Sequence, residues 1–224
     1  MLEKLDEQAQ QNKYESYNVP KLFTAQPRQY YELMMKYGCA IREIQTKLEV
    51  LNDEFSVRYR RNPISFIKTR TKSPESILKK LLSKNCEISL DSIQKNLSDV
   101  AGIRVVCPFI DDIYEVARML TNQDDVTTIK TKDYIQNPKP NGYRSLHLIV
   151  EVPVFLSDRK QAMKVEVQIR TIAMDFWASL DHQLRYKKNL NNADEISAEL
   201  KECADTISAT DQKMQNIKYQ IYGY

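Results

Sequence analysis

The stretch Val165-Glu166-Val167-Gln168-Ile169-Arg170-Thr171 decides the fold. Aliphatic residues hold every second position, with Glu166, Gln168 and Arg170 between them. A period of two predicts a strand with one apolar and one polar face. The apolar face demands a covering layer, whereas the polar face meets water, a ligand or a metal ion. On its own the stretch reads as a half-buried strand with a solvated charged face. Two earlier strands add a similar polar row. Asp99-Val100-Ala101-Gly102 leads into Ile103-Arg104-Val105-Val106-Cys107. In Tyr143-Arg144-Ser145-Leu146-His147-Leu148-Ile149-Val150, the residues Tyr143, Ser145 and His147 lie opposite Leu146, Leu148 and Val150. A carboxylate, a tyrosine and a histidine thereby join Glu166.

Composition narrows the function classes. With 42% hydrophobic and 28% charged residues in 224, the chain is ordinary for a globular protein. A net charge of +3 excludes a uniformly basic nucleic-acid surface. Arg58, Arg60, Arg61, Lys68, Arg70, Lys72, Lys79, Lys80 and Lys84 nevertheless crowd one region, a candidate anion site. Only four glycines occur, so neither a GxGxxG nor a Walker phosphate loop is available, and any phosphate must be held by side chains. Four scattered cysteines predict reduced thiols rather than a disulfide frame or zinc site. There is no signal peptide and no apolar run of ~18 residues, so a cytoplasmic protein without membrane contact is expected.

Around the deciding strand the chain reads as follows. Residues 1–26 form a polar arm. Met34, Tyr37, Ile41, Ile44, Leu48, Leu51 and Phe55 recur at steps of three and four, predicting a long amphipathic helix from Arg28 to Phe55. Ile64 to Ile67 is strand-like. Ser73-Pro74-Glu75 starts a helix with serine as cap and proline first, expected to bury Ile77, Leu78, Leu81 and Leu82. Arg70, Lys72, Ser76 and Lys80 then line one surface near a helix N-terminus, suited to phosphate; a solvated basic helix gives the same pattern. Asp91 to Leu97 is a short helix, and Asp111-Asp112 cap another. A strand near Val126 to Ile129 precedes a loop carrying Lys130, Lys132 and Lys139, closed by Asn141-Gly142. Thr171 caps a helix with Ala173, Phe176, Trp177, Leu180 and Leu184. Ile196, Leu200, Cys203, Ile207, Met214, Ile217 and Ile221 form a near-heptad stripe in the last helix. The order predicts an α+β fold with a mixed β-sheet flanked by helices. A catalytic region over residues 27–190 is followed by a helical segment, 191–224, packed on the same domain or on a partner. The two terminal stripes either pack on each other or on another subunit.

Four motifs in this order, Arg70-Thr71-Lys72 with Ser76 and Lys80, Asp99 to Arg104, Gly142 to His147, and Glu166 to Thr171, resemble the synthetase domain of the RelA/SpoT homologues. From about residue 28 to 222 the chain looks like a small alarmone synthetase. The resemblance implies a nucleotidyltransferase-like fold and transfer of pyrophosphate from ATP to the ribose 3′-hydroxyl of GTP or GDP. It implies that Arg70 and Arg104 sandwich adenine, and that Lys72, Ser76 and Lys80 hold the ATP phosphates. Asp99 and Glu166 would bind Mg²⁺, Glu166 also taking the acceptor proton. Tyr143 would stack on guanine, His147 and Gln168 would support the acceptor, and Lys132 and Lys139 would meet its 5′-phosphates. The family further implies a homotetramer. Two positions depart from it. Lys68-Thr69-Arg70 lacks the glycine of a Thr-Gly-Arg run beside which one subgroup binds an alarmone activator, and Asp175 stands where the family carries asparagine near guanine.

Two other readings compete. A toxin-type relative would keep the donor site and modify the tRNA 3′ end. A non-catalytic module for single-stranded RNA would use Arg58, Tyr59, Arg60 and Arg61. The lysine-rich loop and the Gly142 to His147 run favour the nucleotide acceptor over the first. Asp99 and Glu166 argue against the second, since carboxylates hinder plain anion binding.

Overall fold

In a computed structural model, residues 27–185 and 193–223 are described; the polar arm expected over residues 1–26 lies outside them. The sheet is five-stranded, comprising β1 (Phe66–Thr71), β2 (Ala101–Cys107), β3 (Thr127–Asp133), β4 (Leu146–Phe155) and β5 (Lys160–Thr171). Their spatial order is β1-β2-β5-β4-β3. β2 and β5 are parallel, and the other neighbours are antiparallel. The deciding stretch therefore lies in the central strand.

The apolar face of this mixed sheet is buried. Val165, Val167 and Ile169 are fully enclosed, together with Ile103, Val105, Leu148 and Val150 on the neighbouring strands. Helix α1 (Pro27–Tyr59) crosses that face, touching β1, β2, β4 and β5. Its Ile44 and Leu48 have no exposed surface, so shortening Leu48 to alanine costs about 2–5 kcal/mol. The first predicted stripe is thus the domain's own core rather than a free surface for a partner, because a five-stranded sheet needs a helix of this length to cover it.

The remaining helices are α2 (Pro74–Ser83), α3 (Leu90–Asn96), α4 (Ile110–Thr121), α5 (Ile172–Arg185) and α6 (Ala193–Tyr222). The Ser73 Oγ caps α2 by accepting from Ser76 N, and Pro74 takes its first turn. Ile77 and Leu81 are buried, whereas Leu82 is exposed. One turn of spacing puts only the first pair on the inner face. In α5, Met174 and Trp177 face inward and Phe176, Leu180 and Leu184 outward. Lys130 and Lys132 lie on β3 rather than in the following loop.

Helix α6 docks by polar contacts. Its buried residues include Ala204, Asp211, Gln215 and Lys218. Thr171 Oγ1 donates to Asp211 Oδ2 at 2.6 Å while accepting from Met174 N at 3.1 Å, so the predicted cap of α5 is also a fastener for α6. Lys218 Nζ donates to both oxygens of Asp111, and Arg61 pairs with Asp112. Asp111 and Asp112 are accordingly ion-pair acceptors in the first turn of α4. The cap position belongs to Phe109, with no side-chain hydrogen bond. Burial pushes the Asp112 carboxyl upward, with Arg61 and Lys218 opposing. The second predicted stripe divides: Ile196, Leu200 and Ile207 are half-buried, Ile207 beside Met174 and Trp177 of α5, whereas Cys203 is exposed and Met214, Ile217 and Ile221 are 46–68% exposed.

Candidate active site

Strand register assembles the polar face. Lys68 on β1 is opposite Arg104 on β2, Arg104 opposite Gln168 on β5, Gln168 opposite His147 on β4, and His147 opposite Lys132 on β3. One row of side chains thus crosses all five strands. In the adjacent row Arg70 is opposite Gly102, and Gly102 opposite Glu166. A β-carbon on Gly102 would lie 3.4 Å from Arg70 Cγ, so the missing side chain leaves room for that arginine. The result is a cleft of about 230 Å³ lined by Lys68, Arg70, Gly102, Arg104, Glu166 and Gln168.

At one end stand the basic residues predicted for phosphate. Lys72 Nζ and Lys80 Nζ both donate to Asp99 Oδ2, at 2.7 and 2.6 Å. Burial raises the Asp99 carboxyl, but these two donors outweigh it and hold the group below the usual carboxylate range. Asp99 Oδ1 is buried with no hydrogen-bond partner. Ser76 is exposed at the start of α2, where its Oγ accepts from Ser73 Oγ at 2.9 Å.

At the other end the tight turn over Lys139–Tyr143 organises the aromatics. Gly142 takes φ +85°, and its N–H donates to Lys139 O at 2.8 Å. Asn141 Oδ1 accepts from Tyr143 N at 3.3 Å, the local turn chemistry that Asn-Gly provides. Lys139 Nζ consequently lies 4.8 Å from the centre of the Tyr143 ring and 4.7 Å from that of Tyr134. Tyr134, which no sequence signal singled out, sets its ring edge-on to Tyr143 and His147.

Between the two ends a closed circuit of four hydrogen bonds and one longer polar contact runs through five side chains. The Tyr143 hydroxyl meets His147 Nε2 at 2.8 Å, and His147 Nδ1 faces Glu166 Oε1 at 3.4 Å. Gln168 Nε2 donates to Glu166 Oε2 at 2.9 Å. Arg170 Nη2 donates both to Gln168 Oε1 at 2.9 Å and to Tyr143 Oη at 2.6 Å. Burial pushes Glu166 up, yet the bonds from His147 and Gln168 prevail and keep it below its ordinary value. The period-two pattern put Arg170 on the polar face, but not its burial, which is nearly complete at 4% exposed. Asp175, predicted beside the acceptor, instead bridges two guanidinium groups through one oxygen, at 3.1 Å from Arg104 Nη1 and 3.2 Å from Arg170 Nη1. Lys132 occupies its row position half-buried.

Residues 69–191 match the family model described as "Region found in RelA / SpoT proteins". The chain is 46% identical to the GTP pyrophosphokinase YwaC of Bacillus subtilis, over 84% of this chain and 90% of that protein. It is 34% identical to the GTP pyrophosphokinase YjbM of the same organism, over 87% and 90%. Two crystal structures share the fold. Small alarmone synthetase 2 from B. subtilis matches with TM-score 0.77 and 44% identity, covering 85% of this chain and 98% of that one. Small alarmone synthetase 1 from B. subtilis, bound to its product pppGpp, matches with TM-score 0.79 and 34% identity, covering 87% and 99%.

Proposed function

The chain belongs to the RelA/SpoT family, and from that premise we propose the reaction and the residues that carry it. The protein is a GTP pyrophosphokinase that makes (p)ppGpp, as its relatives' names and shared fold support. The observation that carries the residue assignment is Glu166, ionised at the floor of a cleft between a cationic end and an aromatic end.

Adenine lies between Arg70 and Arg104, which approach from adjacent strands. Lys72 and Lys80 exchange Asp99 for the ATP phosphates, and Ser76 adds a hydroxyl at the start of α2. Guanine stacks on Tyr143, releasing Lys139 toward the acceptor's 5′-phosphates with Lys132 nearby. Glu166 accepts the proton of the ribose 3′-hydroxyl. The oxygen then bonds to the β-phosphorus of ATP, the bond from that phosphorus to the bridging oxygen breaks, and AMP leaves. Positioning and charge neutralisation provide most of the catalysis in such transfers.

Asp99 and Glu166 fit Mg²⁺. Both offer hard oxygen ligands, and the unpartnered Asp99 Oδ1 is free to bind a cation. The ion, when bound, neutralises charge on the transferring phosphates. The proposed setting is the cytosol; among the described residues no helix is long and apolar enough to cross a membrane.

Neither the tRNA-modifying nor the plain RNA-binding reading is favoured by relatives named for GTP. Radiolabelled ATP incubated with GDP, GTP, GMP or tRNA tests the assignment. Label on the guanine nucleotide is expected; label on tRNA alone, or none, overturns it. We also propose a homo-oligomer, a tetramer by likeness to its family. The support within this chain is the outward stripe of Met214, Ile217 and Ile221. Met214→Asp with Ile217→Asp should reduce the mass seen by light scattering, and an unchanged mass removes that stripe from the interface.

A further inference from the structure

We infer that Arg170 is a positioning residue, and that the Tyr143 hydroxyl, separately from the Tyr143 ring, links it to the catalytic carboxylate. The inference rests on Glu166 being the base and Tyr143 the guanine platform.

The circuit has a direction. A guanidinium only donates and an ionised carboxylate only accepts, so Arg170 is its source and Glu166 its sink. Two arms connect them. One passes from Arg170 through the Tyr143 hydroxyl to His147, and the other passes through Gln168. Each arm ends on a different oxygen of Glu166, so together they fix the plane of the carboxylate that must meet the 3′-hydroxyl. Arg170 is itself held from behind. Its Nη1 bonds Asp175, which also takes Arg104 of the proposed adenine clamp, and its Nε donates to Ser145 Oγ at 3.4 Å. A buried guanidinium in fixed fork geometry thus sets two acceptor-side arms and, through Asp175, shares an anchor with the donor side. Lysine, a point charge without the fork, cannot repeat that geometry.

The two roles of Tyr143 separate by mutation. Stacking needs the ring, and the link needs the oxygen. Tyr143→Phe should therefore lower kcat about ten-fold or more, the effect of losing a hydrogen bond to a charged group, while the acceptor KM stays within about three-fold. Arg170→Lys should lower kcat about 100-fold through misplacement of the base, with the Kd for a non-hydrolysable ATP analogue nearly unchanged. Combining the two substitutions should cost less than the product of the single effects, since both cut the same arm. Melting curves establish that each variant is folded, and Tyr143→Phe preserves the packing ring if Arg170→Lys does not fold. Wild-type kcat in Tyr143→Phe overturns the inference, as does strict multiplicativity in a folded double variant. Tyr143→Ala distinguishes the underlying reading. If it leaves the acceptor KM unchanged, the platform assignment fails; if it raises that KM while Tyr143→Phe behaves as wild type, only the link fails.

Discussion

Lys72 and Lys80, on the proposed donor side, share one carboxylate oxygen of Asp99, whereas five residues on the proposed acceptor side close a circuit among themselves. The donor cations sit on partially exposed side chains, 16% and 35% for the two lysines, against 4% for Arg170. The donor end is an exchangeable ion pair that a polyphosphate can enter by replacing one anion with another. At the proposed acceptor end the five-residue circuit is set before substrate arrives, and only Lys139, over the Tyr143 ring, has to give way to guanine. Pre-organisation is concentrated where a proton must leave a hydroxyl, and adaptability where a highly charged ligand must be admitted.

The largest expected effect breaks the acceptor side at its sink. Glu166→Gln keeps the shape but loses the proposed base and a proposed metal oxygen. It should reduce turnover by about a thousand-fold or more, measured with labelled ATP and GDP on protein whose melting is unchanged. Near-normal turnover would contradict the division of labour. Asp99→Asn strikes the donor side, where activity should fall by about 100-fold and its dependence on added Mg²⁺ should weaken. An unaltered Mg²⁺ titration would remove Asp99 from the ion. Tyr143→Ala should raise the acceptor KM about ten-fold, since stacking contributes roughly 1–3 kcal/mol per base, and leave the ATP KM in place. Parallel changes in both KM values would make the residue structural.

The smallest effect concerns stability and follows from the sign of the Asp99 shift. Its folded carboxyl is held below the ordinary range, so the stabilisation is present above that range and lost as pH falls through the folded value. The melting temperature should decline on acidification, and Asp99→Asn should show a shallower decline. Matching acid slopes for the two proteins would show that the two lysines contribute no stability through this group.

Much of this was legible in the chain. The alternation of β5 placed the core and the cleft on opposite faces, and short-range signals at Ser73-Pro74 and Asn141-Gly142 marked the two turns that present the donor and acceptor groups. Helix α6 escaped because periodicity reports that a helix is amphipathic, not which face docks. Its polar side finds Thr171 and Asp111, residues distant in sequence, so that Met214, Ile217 and Ile221 at its C-terminal end are left outward. The same limit hid Arg170. Alternation assigns a side to a residue, but its burial depends on Tyr143 and Ser145, from the segment leading into β4, converging with Asp175 of helix α5. Asp111 and Asp112 looked like caps because a cap is a local event, while their true partners, Lys218 and Arg61, are long-range.

Gly142 makes its turn against helix α6, where an added β-carbon would come 2.5 Å from the β-carbon of Ala204. Beside it Arg144 donates to the carbonyls of Gly142 and Ala204 and to Asp205, binding turn and helix together. The two positions therefore constrain each other's heredity. A larger residue at 142 is admissible only after 204 has shrunk to glycine, and even that concession relieves the collision without relieving the left-handed backbone. Substitution should proceed at Ala204 first and be tolerated at Gly142 seldom, an order of events that a reconstructed lineage of such chains could display.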